Sequence, residues 1–202
     1  LKKSIFHISW LLFITTFFSS CSNQKLEQYT FINESITVDI PTYFILKDNE
    51  SIEKFEEERI NDTKYSVLIS SFYDLKRGDQ ALDIFKDKNS KFHYLFFLNT
   101  QGGPVFNEKI FNKLKNAQTY QYDLIMDADA TIQIEMIDSK FETIEEQSLV
   151  KMKHKFTLID EEEVFYKTVF FLNTSGKTIV AHELNNSEED SESIIRSVRI
   201  PE

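Results

Sequence analysis

The chain has 202 residues, 41% of them hydrophobic, with 19 Phe and 8 Tyr, and only 4 Gly and 3 Pro; this excludes a linker-rich or low-complexity chain and provides for an aromatic core. Asp and Glu outnumber Lys and Arg by 33 to 23, a net charge of −10, so phosphates and anionic head groups repel the chain and nucleic acid is not an expected partner. A single cysteine rules out a disulfide framework within one chain.

Lys2-Lys3, the apolar run Ile5–Phe18 and the small residues Ser19-Ser20 ahead of Cys21 have the layout of an export segment. The run falls short of the roughly 20 apolar residues that span a bilayer, and Ser9, Thr15 and Thr16 weaken it further. Phe18-Ser19-Ser20-Cys21 resembles the lipobox of bacterial lipoproteins of Bacteroidota type, with Phe18 where enterobacterial boxes carry leucine. That resemblance implies a signal peptide over residues 1–20 and lipidation of Cys21. Each buried acyl methylene contributes about 0.8 kcal/mol, so the several chains of a mature lipoprotein make release negligible. Ser22 follows the cysteine without an aspartate, and Ser22-Asn23-Gln24-Lys25 has no acidic cluster. By the same resemblance this implies a lipid anchor in the outer membrane, on the periplasmic face rather than at the cell surface. An acylated Cys21 would leave no thiol for a zinc site or a cysteine nucleophile.

Residues 21–28 are polar and read as a tether, leaving 29–202 as one α+β domain. Ile36, Val38 and Ile40 alternate as in a half-buried strand, stopped by Pro41, and Tyr43–Leu46 continue the apolar signal. Glu53–Ile60 fits either a charged helix or an edge strand, Asn61–Lys64 a hairpin turn and Tyr65–Tyr73 a strand. Ala81, Ile84, Phe85, Phe92, Leu95 and Phe96 lie near helical spacing, with Asn89-Ser90 as a break and Tyr94–Leu98 as an alternative strand. Gln101–Pro104 interrupts the chain; Val105, Phe106, Ile110, Phe111 and Leu114 then predict an amphipathic helix. Tyr120–Met126, Ala130–Ile137, Leu149–Leu158, Val164–Leu172 and Thr178–Leu184 read as strands of an antiparallel meander, with turns at Asp160–Glu162 and Asn173–Gly176. A terminal helix follows, with Ser187 as its cap, Glu188, Glu189 and Asp190 at its positive end, and Ile194, Ile195 and Val198 against the sheet.

This order of elements, with Ile36–Phe44 near the start and Ser193–Ile200 at the end, resembles the PsbP-like fold. The resemblance implies an antiparallel β-sheet meander flanked by helices, a three-layer sandwich. It also implies an accessory or binding role rather than catalysis.

Specific chemistry is sparse. Asp127 and Asp129, with Asp123 and Glu135 nearby, form the tightest carboxylate cluster and the one candidate metal site; the calcium-loop glycine and glutamate are missing, so a solvated turn is the simpler reading. Glu161–Glu163 and Glu188–Asp190 read as a solvated turn and a helix start. His93, His154 and His182 have no ligand spacing. Ser70-Ser71 lacks a nucleophile elbow, and Gly102-Gly103-Pro104 has no Walker lysine. The expectation is a membrane-anchored envelope lipoprotein without catalytic residues or cofactor, meeting an envelope protein partner. The alternatives are an envelope hydrolase or metal-dependent enzyme, with His154 or His182 among carboxylates in a pocket, and a calcium-dependent structural protein.

Overall fold

The computed structural model describes residues 25–31, 36–47, 82–90, 92–100, 105–144, 147–160, 162–174 and 176–200. The export segment, Cys21, the stretch Glu53–Tyr73 with Ser70-Ser71, and Gly102-Gly103-Pro104 lie outside them.

Strands β1 (Leu26–Thr30) and β2 (Thr37–Pro41) pair as an antiparallel ribbon. The ribbon therefore begins inside the stretch read as tether. β3 (Phe44–Lys47), β4 (Leu82–Asp87), β5 (His93–Thr100), β6 (Ile132–Ile144), β7 (Gln147–Leu158), β8 (Glu163–Thr174) and β9 (Lys177–Asn185) build one antiparallel sheet in the order β3-β4-β5-β9-β8-β7-β6. Two meanders thus meet where β5 pairs with β9.

Each face of this sheet buries one set of alternate residues. Leu95 and Phe97 of β5, Phe170 and Leu172 of β8 and Ile179 and Ala181 of β9 share a core with Ile36, Val38 and Ile40 of the ribbon. That core is closed by Ile194 and Ile195 of α2 (Glu192–Arg196) together with Val198. The ribbon is fastened to the C-terminus by the reciprocal backbone pair Thr37–Arg199, at 3.0 and 2.8 Å. On the opposite face lies α1 (Glu108–Ala128), capped by the Asn107 side chain, which accepts from the Ile110 amide. Phe106, Ile110, Phe111 and Leu114 pack on Val150 and Met152, and Tyr122 on Phe156. Among the described residues the sheet dominates; one long helix covers part of one face, and a five-residue helix helps to close the other.

Three expectations need correction. Residues 82–100 are two strands with a turn at Lys88-Asn89, not a helix. Both faces of β5 are covered, so Tyr94–Leu98 is apolar throughout and its period of two is hidden. Tyr120–Met126 is the last part of α1, not a strand. Tyr122 and Ile125 turn inward, while Tyr120 and Leu124, one helical turn apart, are exposed; the alternation mimics a strand only locally. Finally, the terminal helix starts at Glu192 with Ser191 at its N-cap, and Ser187 lies in the preceding loop.

Candidate functional site

The ribbon-and-α2 face ends in a cleft of about 380 Å³. Three loops supply its walls: Pro41 and Tyr43 between β2 and β3, Asp87–His93 around the β4–β5 turn, and Asn185–Ile194 between β9 and α2. Its floor is fixed by Glu183, 1% exposed on β9. One carboxylate oxygen accepts from the Ser191 hydroxyl at 2.7 Å and lies 2.8 Å from His93 Nε2, while the other accepts from the Ser191 amide at 3.0 Å. The second ring nitrogen of His93 faces Asp87 at 3.5 Å, and Asp87 also accepts from the Asn89 amide at 2.7 Å. Phe44 packs on His93 edge to face. Glu183 therefore ties all but the first wall together through hydrogen bonds, and Phe44 ties in the first. Burial raises the Tyr43 phenol above its usual range, and the negative field of Asp87 and Glu183 adds to it.

Behind the cleft, α2 and its approach loop are anchored by charge. Lys151 and Lys153 project from β7 towards Asp190, at 2.7 and 3.4 Å. Lys153 also donates to the Glu188 carbonyl. A bulge between Met136 and Asp138 turns Asp138 onto this face, 3.0 Å from Lys151. Glu192 accepts from Lys140 at 2.7 Å, Lys151 at 3.2 Å and Arg196 at 2.8 Å. Burial pushes the Glu192 carboxyl up, but the bonds from Lys140, Arg196 and Lys151 outweigh this and hold it at about 2.

The other two described histidines, His154 and His182, lie on the α1 face. His154 is 1% exposed, its ring 4.6 Å from Tyr122, and neither ring nitrogen has a hydrogen-bond partner among the described residues. Burial, followed by repulsion from Lys167, holds it near 4; the same causes in the same order hold His182 near 3. The carboxylate pocket anticipated for His154 or His182 in a hydrolase is built instead around His93, on the other side of the sheet. Asp127 sits in the last turn of α1, and Asp129 accepts from the Thr131 amide and hydroxyl at 2.9 and 2.6 Å. Among the described residues no group of three His, Cys, Asp or Glu is placed to hold a metal ion.

Reasoning from sequence missed the cleft because its walls come from three separated loops. Asn89-Ser90 reads as a break and Ser187 as a helix cap, but only the β5–β9 pairing brings the two loops together.

No family model and no curated protein matches this chain. Among solved structures it is similar to cyanobacterial PsbP (CyanoP) from Synechocystis sp. PCC 6803, with TM-score 0.54 and 10% identity, over 91% of this chain and 96% of that one. The Ran-binding protein Mog1p of Saccharomyces cerevisiae matches at TM-score 0.45 and 9% identity, over 88% of this chain and 96% of that one. The fold is PsbP-like, as the order of elements implied; at such identity the likeness to CyanoP is one of fold alone.

Proposed function

We propose that the protein is a non-catalytic binding lipoprotein of the bacterial cell envelope. Cys21 carries its lipid anchor in the outer membrane, facing the periplasm, and the cleft meets an envelope component. The anchor rests on the lipobox-like run before Cys21.

The binding role is carried by one observation: Glu183 stands between Ser191 and His93. A serine nucleophile needs a base within hydrogen-bond reach to take its proton. Here the hydroxyl donates to a buried carboxylate that already accepts the Ser191 amide and faces His93. Such a carboxylate has the bonding of a structural anchor. The cleft is thereby held in shape while polar residues line its walls, an arrangement suited to recognition.

The test has two parts. Cells expressing the native chain and Cys21→Ser are labelled with a radioactive fatty acid and fractionated. Label is expected on the native protein in the outer-membrane fraction and absent from the variant; a native chain that is unlabelled and soluble sinks the anchor. A photo-crosslinking residue at Asn186, on the cleft rim, is then expected to capture a stoichiometric envelope component.

A further inference from the structure

We infer that the cleft recognises an uncharged, hydroxyl-rich ligand, a carbohydrate. This rests on the proposed reading of the cleft as a binding site and names the chemistry of what it binds.

The walls exclude the other ligand classes in turn. Ligand pockets are usually lined mainly by apolar side chains, whereas here Asn, Ser, Asp, Glu and His supply most of the lining, so an apolar ligand would strand polar groups. An anionic ligand needs a cation, and the described residues lining the cleft include no Lys or Arg, while Lys151 and Lys153 behind it already pair with Asp190. An organic cation needs available carboxylates. Glu183 accepts from Ser191 and faces His93, Asp87 accepts from Asn89 and faces His93, and Asp190 holds the two lysines. Glu189 alone among the described carboxylates of the wall makes no ion pair.

Apart from Glu189, what remains is neutral. Asn89, Asn186, Ser193 and Tyr43 line the space, and none of their side chains hydrogen-bonds to another described residue. Amides and hydroxyls each both donate and accept, as sugar hydroxyls do. Tyr43 adds to the polar wall an aromatic residue with an apolar body and a polar tip. At about 380 Å³ the space lies near the lower end of ligand pockets, which run from roughly 300 to 1,000 Å³, and suits one or two sugar units.

The probe is saturation-transfer NMR on the folded protein. A mixture of cellobiose, maltose, lactose and chitobiose is run beside glucose 6-phosphate and spermidine. A parallel arm pellets the protein with purified bacterial cell-wall sacculi, separating a free saccharide from a wall-borne glycan. Transfer to a neutral disaccharide, or co-pelleting, is expected. Asn89→Leu and Asn186→Leu should each weaken it about tenfold, the equivalent of one lost hydrogen bond of about 1.4 kcal/mol, with an unchanged urea midpoint. Silence from every saccharide in both arms overturns the inference. So does transfer confined to spermidine or glucose 6-phosphate, or saccharide binding that both variants leave intact. Failure here is distinct from failure of the function. Turnover of a bound sugar would sink the non-catalytic role and leave the carbohydrate standing; saccharide silence with Asn186 crosslinking to an envelope protein would do the reverse.

Discussion

His93 and His154 occupy one sheet and live in opposite chemistries. His93 faces the α2 side, 13% exposed, with a carboxylate at each end of its ring. His154 faces α1, 1% exposed, with an aromatic ring against it and no partner for either nitrogen among the described residues. The first region is polar and closed by hydrogen bonds between distant loops; the second is dry, and its imidazole stays neutral because water and counter-charge are both lacking. Satisfied polar groups mark where the fold has been shaped for contact, whereas an orphaned base marks where packing has prevailed over solvation.

Removing the centre of the polar region should have the largest effect. Glu183→Ala leaves the His93 ring nitrogen and both Ser191 donors facing a void, and is expected to destabilise the protein by about 3–5 kcal/mol, since each buried donor left unsatisfied costs about 1–3 kcal/mol. Urea unfolding checks this. A loss below 1 kcal/mol would show that the node is no anchor and would erase the contrast with His154.

The dry region should respond with the opposite sign. His154→Leu removes two unsatisfied nitrogens and is expected to stabilise by about 1–2 kcal/mol at pH 7. The pH dependence follows from the direction of the displacement. The folded ring titrates near 4 and the unfolded ring near 6.5, so between those values the unfolded chain binds more protons. Native stability should therefore fall as pH drops from 6.5 towards 4, with His182 extending the fall towards 3. Urea midpoints measured across this window should drop less in His154→Leu than in the native chain; an equal drop would mean that His154 is solvated in the native state.

The two regions also differ in how far the sequence disclosed them. The meander β7–β9 was legible because long strands rich in Val, Phe and Thr are separated by short polar turns. β4 and β5 were not, because residues buried on both faces carry no period and Ile84, Phe85, Leu95 and Phe96 happen to match a helix. His154 alternates with Met152 and Phe156 on β7, a strand the sequence shows, but its surroundings depend on Tyr122, placed by a helix whose last part reads as a strand. His93 gave no local sign, since Glu183 lies on the strand paired with its own and Asp87 across a turn.

The smallest effect should come from the charged support behind the cleft. Glu192 is 17% exposed on the side chain and shared by Lys140, Lys151 and Arg196, so solvent reaches its network as it does not reach Glu183. Glu192→Gln keeps the shape and removes the charge, and is expected to cost about 1 kcal/mol at pH 7 and low salt, less at high salt. The sign in acid is that of a depressed carboxyl: the unfolded group titrates near 4.5 and the folded one near 2, so its stabilisation is complete above 4.5 and is lost as pH falls towards 2. His154 acts over a higher window, from 6.5 to 4, so native acid unfolding should proceed in two separable slopes. His154→Leu should reduce the upper slope, leaving the part due to His182, and Glu192→Gln should reduce the lower, with the double variant additive because the groups lie on opposite faces of the sheet. Loss of the upper slope in Glu192→Gln would show that the two faces are coupled, and the division between a built polar end and a dry centre would fail there.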